Sequence, residues 1–213
     1  MKGLLIKDIQ LILQQKFFIV AIIVLSAMIA QTSEEGSAFV CGYITLLFTL
    51  QAVSTVSYDE MDNSYLYLFT LPISRKLYVA EKYLFSTCAS LCACAISVIV
   101  VLVIQADFVL SKELLIIAGS TFFISLVMIG MTLPTNMKYG AEKGRIAIIV
   151  FAAMFALIFV FIEKGQKYIP IDMNALLENM SSATFGVCAG MTIIVLFFIS
   201  FLISIRVMEK KQF

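Results

Sequence analysis

The chain contains 213 residues, of which 62% are hydrophobic and only 14% are charged, with a formal net charge of +1. A water-soluble domain of this size could not bury so much apolar surface, so the composition excludes a soluble globular protein and predicts an integral membrane protein. The chain has no His, which excludes His-based metal sites and Ser-His or Cys-His dyads, so we expect no catalytic residue and no metal. It also has no long basic run, so we expect no nucleic acid partner.

The first element is a predicted amphipathic helix over residues 1–16. Its apolar face would consist of Leu5, Ile9, Ile12 and Leu13. The polar residues Lys7, Gln10 and Gln14 would point the opposite way, so the segment could lie in contact with lipid along the inner membrane surface. The alternative is a simple membrane anchor.

Six apolar runs of membrane-spanning length follow along the chain. A helix needs about 20 mostly apolar residues to cross a hydrocarbon layer of roughly 30 Å, and only a helix satisfies its backbone hydrogen bonds within such a run. The predicted spans are residues 17–31, 39–57, 83–104, 114–133, 146–162 and 185–205. The sequence therefore predicts a single all-α transmembrane domain, residues 1–213, with six transmembrane helices.

Basic residues divide unequally between the two sides that these spans define. Of the 15 Lys and Arg residues, only Lys112, Lys164 and Lys167 would lie on one side, and the other 12 would lie opposite. Positively charged loops are retained in the cytoplasm, so both termini are predicted to be cytoplasmic. On this topology residues 163–184 form an external loop, which could hold short re-entrant helices.

The predicted spans contain no Asp, Glu, Lys or Arg in their central portions, which weakens a proton-coupled or sodium-coupled carrier. The second span instead carries uncharged polar residues that could line a path for an amphipathic substrate: Thr45, Thr49, Gln51 and Thr55. The alternative is that they hydrogen-bond between helices. Gly186 and Gly190, four residues apart, are candidates for close helix packing.

The cytoplasmic segment between the second and third spans, residues 58–82, is the most specific feature. It begins with Asp59, Glu60 and Asp62 and places Tyr65, Leu68 and Phe69 on one face of a predicted helix over residues 59–71. Pro72 ends this helix, and Ser74 can cap the next one, which leads through Arg75 and Lys82 into the third span.

The same segment supports a family assignment. Tyr58-Asp59-Glu60, then Tyr67-Leu68-Phe69-Thr70-Leu71-Pro72-Ile73-Ser74-Arg75-Lys76, then Glu81-Lys82-Tyr83 resembles the first cytoplasmic loop of small ABC-2 family permeases, including the membrane subunits of the phenol-soluble modulin exporter. The resemblance implies that this loop is a coupling helix seated in a separate ABC ATPase subunit. It also implies that the N-terminal helix is the interface helix and that a second permease subunit, identical or related, completes the transporter. The coupling residues that it implies are Asp59, Glu60, Asp62, Tyr65, Leu68, Phe69, Pro72, Arg75 and Lys82.

The expected function is the transmembrane permease subunit of an ATP-driven exporter in a bacterial plasma membrane, with an amphipathic peptide, a lipid or a hydrophobic drug as substrate. The chain has no Gly-x-x-x-x-Gly-Lys-Ser/Thr motif, so it is not expected to be an enzyme or to hold a cofactor, and ATP and Mg²⁺ would bind to the partner. The alternative is a non-transport scaffold or regulatory subunit that recruits a soluble partner through residues 58–82.

Overall fold

The computed structural model describes residues 2–30, 36–60, 74–105, 111–165 and 182–211. These residues form helices, as the apolar runs predict, and no strand occurs among them. In chain order the helices are α1 (Lys2–Gln14), α2 (Lys16–Ala30), α3 (Gly36–Glu60), α4 (Arg75–Gln105), α5 (Lys112–Gly165) and α6 (Ser182–Lys210). The all-α prediction is therefore confirmed for the described part of the chain.

Two helices begin at serine caps. The Leu77 backbone N–H donates to Ser74 Oγ at 3.3 Å, and the Leu114 backbone N–H donates to Ser111 Oγ at 3.1 Å. In each case the side chain satisfies one of the N–H groups that the first helical turn leaves without a backbone partner. The predicted cap at Ser74 is confirmed.

Among the described residues, four helices are long and apolar enough to cross a membrane: Gly36–Glu60, Arg75–Ile104, Lys112–Gly140 and Gly190–Lys210. They contain the predicted second, third and fourth spans and most of the sixth. The consecutive helices Gly3–Gln14 and Lys16–Ser26 are bent by 61° and together give a fifth candidate. The predicted boundary between the interface helix and the first span therefore falls at this bend.

Helix α3 is the central helix of the bundle. The most apolar 18-residue stretch of α3 is 56% buried, whereas the corresponding stretches of the other three candidate spans are 22% buried or less. It packs against α1, α2, α4 and α5, whereas α6 packs against α4 and α5. Its neighbours therefore surround α3 and leave their own outer faces exposed.

Two apolar clusters mark the two ends of the bundle. One combines the start of α3 with the end of α4 and consists of Ile22, Val40, Cys41, Ile44, Val101 and Leu114. The other combines the end of α3 with the start of α4 and consists of Val53, Val56, Tyr78, Val79, Tyr83, Ile129, Leu133, Met137 and Met208. Consecutive helices therefore run in opposite directions between these ends.

Helix α5 is interrupted at Gly140, whose backbone has φ 82° and ψ 173°. This region of φ and ψ is open essentially to glycine alone. The first part of α5 and the whole of α6 both end near the second cluster, through Met137 and Met208. The fifth span was predicted between these two ends, and it is not among the candidate spans found in the described residues. The predicted total of six spans stays a prediction.

A proline within α5 explains a polar contact inside the bundle. Pro134 has no N–H, so the carbonyl of Gly130, four residues earlier, loses its helical partner. Ser200 Oγ of α6 donates to that carbonyl. Tyr83 of α4 completes the network, because its hydroxyl lies 2.7 Å from Ser200 Oγ and 2.8 Å from Ser204 Oγ. Three helices are thereby joined by side-chain hydroxyls.

Candidate functional site

Four charged side chains from three helices are joined by ion pairs at the end of the bundle that contains the end of α3, and a fifth, Glu81, interacts with them electrostatically. We call all five the buried charge cluster: Lys7 and Asp8 of α1, Asp59 of α3, and Glu81 and Lys82 of α4. Every member of the cluster except Lys7 is at most 4% exposed. Buried charges are costly unless they are paired, so such a cluster is a candidate functional site.

Lys82 is the centre of the buried charge cluster. Its Nζ lies 2.5 Å from Asp8 Oδ2, 2.8 Å from Asp59 Oδ2 and 3.2 Å from Thr55 Oγ1. A lysine ammonium has three N–H donors and no acceptor, so these three contacts use its full capacity. Lys82 therefore holds α1, α3 and α4 together.

Asp59 lies in the last turn of α3, where the helix dipole disfavours a negative charge. Lys7 Nζ donates to Asp59 Oδ1, and the Tyr78 hydroxyl donates to Oδ2 at 2.8 Å. With Lys82 these donors offset the unfavourable position. This corrects the prediction that Asp59 begins a new helix and faces basic residues of an ATPase, because its carboxylate is buried and bound inside the chain.

Helix α1 directs its one acidic residue toward the bundle and several apolar residues away from it. Leu4 and Asp8, one turn apart, are buried, whereas Ile9 and Leu13 are 49% and 60% exposed. The other two residues of the predicted apolar face, Leu5 and Ile12, are partly buried. A helix with ion pairs on its inner side and apolar residues outside suits a membrane environment.

The bend after α1 is held by polar side chains of α3. Gln15 Nε2 donates to the Tyr58 hydroxyl at 2.6 Å, and Gln51 Nε2 donates to Gln15 Oε1 at 2.9 Å. Gln15 therefore contacts two positions that are two helical turns apart on α3. These contacts set the point at which the chain turns from α1 into α2.

A second group of contacts, at the same end, joins the beginning of α4 to the end of α6. We call it the end clamp: Glu60, Arg75, Lys76, Glu209 and Lys211. Arg75 Nη1 donates to the carbonyls of Met208 and Glu209 at 3.2 and 2.7 Å, which caps the end of α6. Lys76 Nζ lies 3.4 Å from Glu209 Oε1.

The rest of the end clamp lies at the interruption of α5. Lys211 Nζ donates to Glu60 Oε1 at 3.0 Å and to the carbonyl of Met137 at 3.1 Å. A Cβ at Gly140 would lie 2.7 Å from Glu60 Oε2. The φ angle therefore favours glycine at this position, and a side chain there would also require the Glu60 carboxylate to shift.

The predicted coupling residues divide into three groups. Asp59 and Lys82 lie in the buried charge cluster, and Glu60 and Arg75 lie in the end clamp. The remaining ones lie outside the described residues: Asp62, Tyr65, Leu68, Phe69 and Pro72. The structure thus brings the flanks of residues 61–73 together and makes them part of the bundle.

The predicted pathway residues Thr45, Thr49, Gln51 and Thr55 are all at most 6% exposed. Thr49 Oγ1 donates to the carbonyl of Thr45 at 2.6 Å, and Thr55 Oγ1 donates to that of Ala52 at 2.8 Å. These two contacts lie within α3 itself, whereas Gln51 bonds to Gln15 and Thr55 bonds to Lys82 of α4, as the alternative of hydrogen bonding between helices predicts. Their role in a pathway stays a prediction.

The predicted packing glycines lie in α6. A Cβ at Gly190 would lie 3.5 Å from the ring of Phe123, so this glycine faces α5. The surroundings of Gly186 lie outside what the structure describes. Within the described ranges no group of three or more His, Cys, Asp and Glu residues is arranged to hold a metal ion.

Sequence reasoning missed Asp8, Tyr78 and Glu81. Each looked like an ordinary residue near a membrane boundary, because residues distant in sequence supply its neighbours. Two weak signals were present. Asp8 is the only acid in α1, and the pair Glu81-Lys82 stands directly before a predicted span.

Comparison with known proteins gives one match. The family model described as ABC-2 family transporter protein matches residues 3–209, which is nearly the whole chain. No curated protein and no solved structure matches the chain.

Proposed function

The chain belongs to the ABC-2 family of transporter proteins, and we propose that it is the permease subunit of an ATP-driven exporter in a bacterial plasma membrane. The coarser statement, a multi-pass membrane protein of a transporter family, rests on the family match and the candidate spans. The proposal adds a separate ABC ATPase, which would bind ATP and Mg²⁺, and assigns the contact with it to residues 61–73.

The observation that carries this proposal is the anchoring of both ends of residues 61–73. On one side, Asp59 and Glu60 end α3, and on the other, Arg75 and Lys82 belong to the first turns of α4. These four residues are bonded to α1, to α6 and to one another through the buried charge cluster and the end clamp. A displacement of residues 61–73 would therefore act on several helices at once.

The ion pairs make this connection stiff. Removing one partner of a buried pair costs about 3–5 kcal/mol. When residues 61–73 are pushed, α1, α3 and α4 would therefore move together rather than separate. ATP-driven closure of the ATPase would push residues 61–73, and the attached helices would tilt as a unit. This is the mechanical role expected of a coupling element.

The transported path would lie between this chain and a second permease subunit. Helix α3 is packed among its neighbours, and its polar residues Thr45 and Thr49 are buried, so one bundle offers little room for a path of its own. The uncharged centres of the predicted spans suit an amphipathic peptide, a lipid or a hydrophobic drug better than an ion. The resemblance to the phenol-soluble modulin exporter is consistent with a substrate of this class.

The test is co-expression of the chain with the ATPase encoded beside its gene, followed by co-purification and measurement of ATP turnover. The variant Asp62→Lys with Phe69→Ala changes only the predicted contact surface and leaves both anchored flanks intact. We expect it to lose ATPase association or stimulated turnover by at least about tenfold, which corresponds to about 1.4 kcal/mol.

The matched control is Lys112→Ala, which changes an exposed residue in the first turn of α5. This turn lies at the end of the bundle away from the end clamp. This variant should retain association and turnover. If the wild-type chain binds the ATPase without changing its turnover, the scaffold alternative would be favoured. If the wild-type chain does neither, the exporter proposal is wrong.

A further inference from the structure

The buried charge cluster has unequal numbers of acids and bases. It contains three carboxyl groups, Asp8, Asp59 and Glu81, and two ammonium groups, Lys7 and Lys82. If all five were ionised, one negative charge would remain in a site where Glu81 is 1% exposed. An uncompensated charge in such surroundings is strongly disfavoured.

The hydrogen bonds identify the carboxyl group that is left over. Lys82 donates to Asp8, Asp59 and Thr55 and has no further N–H group. Lys7 donates to Asp59 and lies 3.6 Å from Asp8 Oδ1. Neither oxygen of Glu81 accepts a hydrogen bond from any described residue. The excess charge would therefore fall on Glu81.

Among the described residues, the charged groups that act on Glu81 all belong to the cluster itself. These groups are Lys7 and Asp8 from α1, Asp59 from α3 and the adjacent Lys82 on α4. Helices α2, α5 and α6 also pack against α4, but within their described residues they add no charged group to this set. No further base among these residues is therefore available to neutralise the Glu81 carboxylate.

We propose that Glu81 is a proton-binding site: its carboxyl group takes up one proton from solvent, makes the buried charge cluster neutral, and thereby holds α1 against α3 and α4. Loss of this proton leaves a net charge of −1 in the cluster. Separation of α1 from the bundle then lets water reach the charge. Docking of α1 is therefore tighter in mildly acidic than in mildly alkaline buffer.

Proton linkage gives the direction in which stability changes with pH. The folded chain keeps the Glu81 proton that a solvent-exposed glutamate in the unfolded chain would release. Folding is therefore accompanied by proton uptake, and stability falls as the pH rises. Glu81→Gln mimics the neutral acid in shape and cannot be ionised, so it removes this dependence.

The first measurement is infrared spectroscopy of the full chain in lipid nanodiscs at neutral pH. We expect a carbonyl band of a protonated carboxylic acid in the wild type and its loss in Glu81→Gln. The matched control is Glu113→Gln, which changes an exposed glutamate on α5 and should leave the band intact. A wild type without such a band, or a band that persists in Glu81→Gln, overturns the proposal.

The second measurement is trypsin cleavage after Lys7 as the buffer is changed from mildly acidic to mildly alkaline, corrected for the pH dependence of trypsin on an unfolded substrate. The corrected rate should rise several-fold for the wild type and Glu113→Gln and stay level for Glu81→Gln. Equal pH dependence in all three chains contradicts the proposal. So does misfolding of Glu81→Gln, because a neutral isostere should be tolerated where the acid is already neutral. Both measurements use the permease chain alone, so they do not depend on whether it couples to an ATPase.

Discussion

At the scale of single residues, the protein places charge where membrane helices rarely carry it. Lys82 is fully buried, and its ammonium bonds to side chains from both other helices of the cluster. This arrangement is stable only while all partners are present, because a buried charge that loses its partner keeps its desolvation penalty. Substitutions in the cluster should therefore have much larger effects than those of exposed ion pairs.

Replacement of Lys82 by Met should lower the free energy of unfolding by about 3 kcal/mol or more, since it leaves Asp8 and Asp59 without their common partner. The control is Lys76→Met, whose side chain is 69% exposed and 3.4 Å from Glu209. Exposed pairs contribute about 1 kcal/mol or less. Thermal unfolding in detergent measures both, and equal effects would contradict the importance assigned to Lys82.

Gly140→Ala should destabilise the chain by about 1–3 kcal/mol, because the position has a φ angle suited to glycine and faces the Glu60 carboxylate. Gly119→Ala is the matched control in the same helix, where a new Cβ would meet nothing within 4 Å. Alanine is the better helix former, so that control should be neutral or slightly stabilising. A neutral Gly140→Ala would be inconsistent with the described turn.

At the scale of elements, the interruption of one helix is compensated by another. Pro134 leaves the Gly130 carbonyl without a helical donor, and Ser200 of α6 supplies one. An unsatisfied carbonyl within a membrane is costly, and hydrogen bonds between membrane helices contribute about 0.6 kcal/mol on average. The contact between α5 and α6 is thus coupled to the presence of the proline.

A double-mutant cycle tests this coupling. Ser200→Ala should cost about 1 kcal/mol in the wild type and clearly less in a Pro134→Ala background, where the restored N–H can bond to Gly130. The readout is the midpoint of unfolding of the four chains. Additive effects would show that Ser200 acts through Tyr83 alone, and Tyr83→Phe provides that comparison.

At the scale of the whole molecule, the charged groups of distant helices collect at one end. Lys7, Arg75, Lys76, Lys82 and Lys211 take part in the buried charge cluster or the end clamp. All five were assigned to the same side of the membrane from the distribution of basic residues. The structure shows the common end, and retention of basic loops in the cytoplasm predicts which side it faces.

Reporter fusions test this topology. Fluorescent-protein fusions after residue 140 and at the C-terminus should be fluorescent in the cytoplasm, whereas fusions after residues 108 and 172 should be active only with a reporter of the external side. The result at residue 172 decides whether the chain crosses the membrane between Gly140 and Gly190. A cytoplasmic signal there would contradict the predicted fifth span and the total of six.

The sequence by itself determined the class of protein, most of the spans, the cap at Ser74 and the family, because these depend on local composition and short motifs. Asp59 shows where such reasoning ended. Its position in an acidic turn favoured an exposed residue, yet Lys7, 52 positions away, and Lys82 bury it in an ion-pair network. The partners of Lys82 likewise include Asp8, 74 positions away. Only the tertiary structure decided which charges were buried, because burial and pairing depend on helices that meet in space, and no local pattern records which helices those are.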